Sequence, residues 1–228
     1  MSDANRISRL AGALYLVVVV TGIFSLIYVP GQIGLAGDQP ATASRILASE
    51  ALFRAGIAAF LVKQVAFLLL PFALFQLLRP VHQTAALLMV ALAVVSVPLA
   101  LVSLASRLDA LEILTGPYAP VFTPEQLQAQ AMLAIRSYGN GLLVTSLFWG
   151  LWLFPFGYLV LKSGFLPKLL GVCLMLGGLG YLTDVFTSLL APDIRLPGFV
   201  MLPAALGEIG TCLWLLLVGV RPRTTGTA

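Results

Sequence analysis

The run LFRAGIAAFLVKQVAFLLLPFALFQLL, from Leu52 to Leu78, carries two charges in 27 residues. As an α-helix it measures roughly 40 Å, longer than the roughly 30 Å hydrocarbon thickness of a bilayer. A single open strand cannot satisfy its backbone in lipid, whereas a helix satisfies every internal N–H and C=O by itself. The run therefore reads as a membrane-spanning helix. Its one interior charge, Lys63, is expensive in hydrocarbon and marks the residue as something other than filler.

Five further apolar runs of similar kind lie on either side. Together the spans are expected at about Leu10–Tyr28, Leu52–Leu78, Ala85–Ala105, Arg136–Leu161, Leu166–Leu190 and Phe199–Val220. The first follows Arg6 and Arg9, but its core is too long for a signal peptide and no small-residue cleavage site follows promptly, so it reads as a retained helix. The composition agrees: 228 residues, 60% hydrophobic, 10% charged, mean hydropathy +1.01. Soluble domains carry nearer a quarter charged residues. The expected fold is all-α, a single transmembrane domain over residues 1–228 built from six helices. Its formal charge of +4 comes from basic residues scattered singly at loop ends. No stripe of the kind that neutralises phosphates is present, so no nucleic-acid partner is expected.

Those scattered cations set the orientation. Arg6, Arg9, Arg79, Lys162, Lys168, Arg221 and Arg223 collect on the side of the termini, with Asp3 as the acid among them. The other side holds Arg45, Arg54, Arg107, Arg136 and Arg195 beside Asp38, Glu50, Asp109, Glu112, Glu125 and Asp193. Both termini are expected to be cytoplasmic. On the outer side, Pro40–Ala51 reads as a short amphipathic helix. Thr123-Pro124-Glu125-Gln126 reads as a helix start that runs on into the fourth span.

Spans two and three resemble spans four and five in plan. Each pair begins near an arginine, Arg54 or Arg136, and carries Pro71-Phe72 or Pro155-Phe156 about eight residues before its turn. A parallel repeat about the membrane normal is a known building plan for transporters. Both prolines should bend their helices and free a carbonyl.

The polar residues within the spans are the candidate site. Counting from the outer ends places Lys63 and Glu208 at similar depth, roughly 15 Å down, with Asp184 shallower. Lys63 and Glu208 are expected to pair, and Asp184 to reach Arg54 or Arg136. Arg136 and Asn140 share a face at i, i+4 with Tyr138 close by, and Tyr181 and Asp184 share another. Glycines on spans five and six, among them Gly171, Gly177, Gly178, Gly180, Gly207 and Gly210, let helices approach closely. Cys173 and Cys212 read as packing residues, as do Trp149 and Trp152. No HExxH, CxxC, Gly-x-Ser-x-Gly or Gly-rich phosphate loop occurs, so no metal and no cofactor are expected.

Several segments carry a family resemblance: Arg9-Leu10-Ala11-Gly12-Ala13-Leu14-Tyr15-Leu16, Ile46-Leu47-Ala48-Ser49-Glu50, Ser137-Tyr138-Gly139, Ser163-Gly164-Phe165-Leu166-Pro167, Gly180-Tyr181-Leu182 with Asp184, and Gly207-Glu208 with Leu213-Trp214-Leu215. On these the chain resembles a bacterial membrane-protein family filed as domain of unknown function 4386. The resemblance implies a six-helix protein of the bacterial inner membrane, with no catalytic residues to carry over. The residues themselves point to a small-molecule transporter or ligand-binding membrane protein with a polar pocket in the outer half of the bilayer. Membrane lipids and a small molecule or ion are its expected partners, and monomer and homo-oligomer stay open. Enzyme chemistry is less favoured. A lipid-modifying membrane enzyme and a non-catalytic assembly or sensing partner are the alternatives.

Overall fold

A computed structural model describes residues 3–35, 39–118 and 120–220. Arg221, Arg223 and Asp38, which entered the orientation argument, lie outside the described residues. The regular elements among the described residues are all helical. In chain order they are α1 (Asp3–Ile23), continued by a π-helical turn (Phe24–Tyr28) and α2 (Val29–Ile33), then α3 (Gln39–Ala48), α4 (Glu50–Leu78), α5 (Gln83–Thr115), α6 (Pro124–Leu151), α7 (Leu153–Ser163), α8 (Lys168–Leu190), a 3-10 turn (Gly198–Met201), α9 (Leu202–Leu213) and a second π-helical turn (Trp214–Val218). Six continuous stretches are long and apolar enough to cross a membrane: Asp3–Ile33, Glu50–Leu78, Gln83–Thr115, Pro124–Ser163, Lys168–Leu190 and Gly198–Val218. The chain is thus a multi-pass membrane protein of six spanning-type helices.

Local chemistry accounts for where these helices begin, end and bend. At the start of α6, Gln126 N–H donates to Thr123 Oγ1 at 3.3 Å while Thr123 N–H donates to Gln126 Oε1 at 2.9 Å, a reciprocal capping box. The amphipathic segment before α4 forms α3. Pro71 sits inside α4, which continues through it without interruption. The fourth span is interrupted at Trp152, three residues before Pro155. Pro155 has no N–H to offer the Leu151 carbonyl, and α6 stops at that residue.

The turn Ser163-Gly164-Phe165-Leu166-Pro167 is a compact device. Ser163 Oγ donates to the Val160 carbonyl at 2.9 Å and accepts from Leu166 N–H at 3.2 Å. Gly164 adopts φ 72°, the left-handed cap that glycine takes without a Cβ penalty. Trp214 Nε1 donates to the Phe165 carbonyl at 3.2 Å, fixing the turn to the last span.

Buried positions recur along each early helix at spacings of three or four residues. On α1 and its continuation they are Ser8, Ala11, Tyr15, Val18, Gly22, Ser25 and Val29. On α4 they include Phe53, Ile57, Phe60, Gln64, Phe67, Pro71, Leu74 and Leu78. On α5 they include Ala86, Met89, Ala93, Val97, Ala100, Leu104, Arg107 and Leu111. A period near 3.5 is the seam that knob-into-hole packing selects. Other faces of these helices expose large apolar side chains, among them Val20, Val65, Leu69 and Val102, as lipid-facing residues should be.

Contacts divide the chain into two compact units. The first comprises 1–16, 67–95 and 146–228, and the second 17–66 and 96–145. In the first, α6–α7 and α8 pack as an antiparallel pair through glycines. A Cβ on Gly157 would lie 2.7 Å from the Gly171 carbonyl oxygen, and one on Gly171 would lie 2.8 Å from that of Gly157. Gly150 and Gly178 repeat this reciprocity one heptad away. On the opposite side of α8, Gly177 meets Ala204 and Gly207 meets Leu174, in antiparallel register with α9. Small residues let these backbones touch and gain van der Waals contact where lipid offers no hydrophobic drive. The ends of the chain close the same unit. Ser8 Oγ and Arg9 Nη1 donate to the carbonyls of Leu215 and Leu216, at 3.1 and 2.8 Å, within the terminal π-turn.

In the second unit, Val29 packs into the space over Gly56, and Ser103 fills that over Gly141. Gly34, at φ 68°, turns the chain from α2 toward α3, and its carbonyl accepts from Thr42 Oγ1 at 3.2 Å.

The glycine contacts make a quantitative expectation. Gly171→Val should lower stability by about 1–3 kcal/mol or prevent folding, because the clash is with backbone. Gly139→Ala, with nothing within 4 Å of its Cβ position, should hold or raise it. Thermal melting of the two purified variants in one detergent compares them directly.

Candidate functional site

Glu208 lies on α9, ten residues from each end of its 21-residue span, or roughly 15 Å from either. It is half-buried. Its carboxylate acts electrostatically on Tyr15 of α1 and Tyr181 of α8, and Asp184 also acts on Tyr181. Tyr15 is 1% exposed. Its ring is held by Trp152 and Phe156, with centroids at 6.4 and 6.5 Å, and Phe67 closes edge-on against Trp152 at 5.2 Å. Tyr181 packs its Cβ toward Gly150, where any larger residue would displace it. Two carboxylates and two phenols from three spans thus share the first unit. Phenols beside a carboxylate can donate hydrogen bonds to it, or relay a proton along such a bond. Cys212 Sγ donates to the Gly12 carbonyl at 3.5 Å, and both cysteines are free thiols.

Asp184 also lines a pocket of about 310 Å³ at the far end of α8. Thr187 and Ser188 add hydroxyls, and Pro192, Ile194 and Arg195 of the following loop complete the rim. Asp184 and Arg195 bring opposite charges to one opening.

The second unit holds a different constellation. Lys63 is 7% exposed and midway along α4. Its Nζ donates to Gln64 Oε1 at 3.2 Å and lies 5.3 Å from the centre of the Phe60 ring. Phe60 stands edge-on to Tyr138, 6.1 Å away. Tyr138 in turn stacks on Arg107, whose guanidinium carbon is 4.1 Å from the ring centre, and Phe53 lies 5.7 Å from the same carbon. Two cations are therefore strung along three aromatic rings. Ring faces carry negative charge density, and this is worth more where water is excluded.

The remaining candidates lie at the surface. Arg54 is exposed and meets Glu50, one turn earlier, with Nε–Oε1 at 2.7 Å. Arg136 and Asn140 are exposed on one face of α6 while Tyr138 turns inward from the other. The sequence alone did not single out Arg107 or Tyr15. Both sit on the 3.5-residue seam of their helices, so a polar residue occupying a seam position was the available signal.

Residues 10–219 match the family described as Domain of unknown function (DUF4386), and the chain belongs to it. A protein of Archaeoglobus fulgidus, described as an uncharacterized protein, is 30% identical over 105 residues, 45% of this chain. The chain spans 59% of the length of that relative. No solved structure matches.

The aromatic ladder separates ring from hydroxyl. Tyr138→Phe keeps both ring contacts and removes a buried hydroxyl with no hydrogen-bond partner among the described residues, so stability should change by less than about 1 kcal/mol. Tyr138→Ala should cost about 3–5 kcal/mol through lost ring packing. Chemical or thermal unfolding in detergent measures both.

Proposed function

We propose that this DUF4386 chain is a small-molecule transporter or ligand-binding protein of the bacterial inner membrane, with a polar pocket in the outer half of the bilayer. Both termini face the cytoplasm in this reading, the six helices act as one domain, and helices two–three and four–five descend from a parallel repeat. Glu208 and Asp184 carry proton or cation coupling. Lys63, Arg54, Arg136 and Asn140 supply counter-charge or anion contacts, and Tyr138 and Tyr181 contribute hydroxyls. The observation that carries this reading is Glu208, a carboxylate at the middle of an apolar span with the buried Tyr15 and with Tyr181 within its electrostatic reach. Fold alone favours no such group, because apolar replacements of buried charges are often as stable or more so.

Reconstituted vesicles with an internal pH dye test the coupling. Solute-dependent or solute-independent proton movement should appear with the intact chain and vanish in Glu208→Gln. The absence of any flux across a broad solute panel would sink the transport reading. A stability cycle with Lys63→Met, Glu208→Gln and both together tests the proposed pair. Singles that each cost several kcal/mol, with recovery in the double, mark a structural ion pair. Singles that leave stability intact mark charges kept for a ligand or proton.

The Asp184 pocket favours one second reading, a lipid-modifying enzyme. It joins a carboxylate, two hydroxyls and an arginine at a helix end flanked by the exposed Leu190 and Phe199. Incubation with lipid extract should then alter a headgroup, and Asp184→Asn should abolish the change.

A further inference from the structure

Arg107 is the most anomalous charge in the second unit. Its side chain is 2% exposed. Nε and Nη1 are both buried and have no hydrogen-bond partner among the described residues. The group acting on it electrostatically is the phenol of Tyr138, and no carboxylate is paired with it among those residues. A buried guanidinium normally has its fork filled, since an unpaired buried charge is among the costliest features a fold can carry. The flat faces are filled here: Tyr138 at 4.1 Å and Phe53 at 5.7 Å. The edge that donates hydrogen bonds is not. Tyr138 adds a second unfilled group, a buried hydroxyl without a hydrogen-bond partner among the described residues.

Stacking on the faces with the edge unfilled is the arrangement that presents a fork to a planar or tetrahedral oxyanion, which takes two parallel N–H donors at once. Arg107 lies 24 residues beyond Gln83 along α5, roughly 36 Å by helical rise. With the Gln83 end at one surface, that exceeds the roughly 30 Å of hydrocarbon and reaches the level of the opposite headgroups. Phosphate is the abundant oxyanion at that level.

The geometry points to an oxyanion-binding site in which the Arg107 fork, held by Phe53 and Tyr138 and assisted by the Tyr138 hydroxyl, takes a phosphate group. The phosphate belongs to a lipid headgroup or to a soluble molecule entering from the same side. The site shares Tyr138 with the transport reading, but it requires binding and no flux, so either can fail without the other.

The test uses full-length protein stripped of lipid in a maltoside detergent free of phosphate. Melting temperature is followed while inorganic phosphate is added in one arm and phosphatidylglycerol in the other, with chloride at matched ionic strength as the blank. A saturable rise with phosphate assigns a soluble source, and a rise with phosphatidylglycerol alone assigns a lipid one. Either supports the site if Arg107→Gln weakens apparent affinity about tenfold or more, as loss of charge-assisted hydrogen bonds predicts. Arg45→Gln, an exposed arginine on α3, should leave affinity unchanged. Without ligand, Arg107→Gln should melt at or above the intact chain, because it removes an unpaired buried charge. Should that variant fail to fold, Arg107→Lys keeps the charge without the fork and Tyr138→Phe keeps the stack without the hydroxyl, and both should still bind more weakly. No shift in either arm, or shifts undiminished in the Arg107 and Tyr138 variants, overturns the proposal.

Discussion

A bilayer interior offers no hydrogen bonds, and each polar group within it must find its partner in the protein. For the backbone, that demand is met by helix formation. It reappears wherever the regular pattern loosens. The terminal π-turn shifts hydrogen bonding by one residue, and the carbonyls of Leu215 and Leu216 are met by Ser8 and Arg9 from the first helix. The turn after α7 is met likewise by Ser163 and Trp214. These side chains are small in number, yet they tie the first and last helices and the turn after α7 into one unit.

Once the backbone is satisfied, helices in lipid have little reason to associate except close contact. The glycines of α7, α8 and α9 supply it. Gly150 with Gly178 and Gly157 with Gly171 are spaced a heptad apart on both helices, so one antiparallel register satisfies both pairs. Gly177 and Gly207 do the same on the other face of α8. A helix with small residues on two faces is gripped from two sides, and it carries Tyr181 and Asp184 in its C-terminal half.

The same demand makes the embedded charges informative. Lys63 and Arg107 are solvated by aromatic faces in place of water, while Glu208 has phenols within reach. Aromatic rings tolerate a cation without neutralising it, which leaves the charge available. Phenols do the corresponding service for a carboxylate. Membership of DUF4386 extends over residues 10–219, nearly the whole chain.

Six spans, the helix start at Thr123, the short amphipathic helix before α4 and the glycine-rich faces were all legible in the sequence, because each follows from short-range pattern: apolar length, capping spacing and small-residue period. The interior charges Lys63, Asp184 and Glu208 stood out for the same reason. Which polar residues turn inward was not legible. Arg136 and Asn140 satisfy the same local rules as Tyr138, yet Tyr138 is buried and the other two are exposed. Arg107 looked like an ordinary loop-end cation, and its burial depends on Tyr138 and Phe53 arriving from two other helices. Local sequence sets what a helix is and where it starts, through hydrogen bonds within one turn. Which of its faces meets a partner is a sum of packing contacts between segments distant in the chain, and that sum was fixed only when the helices assembled.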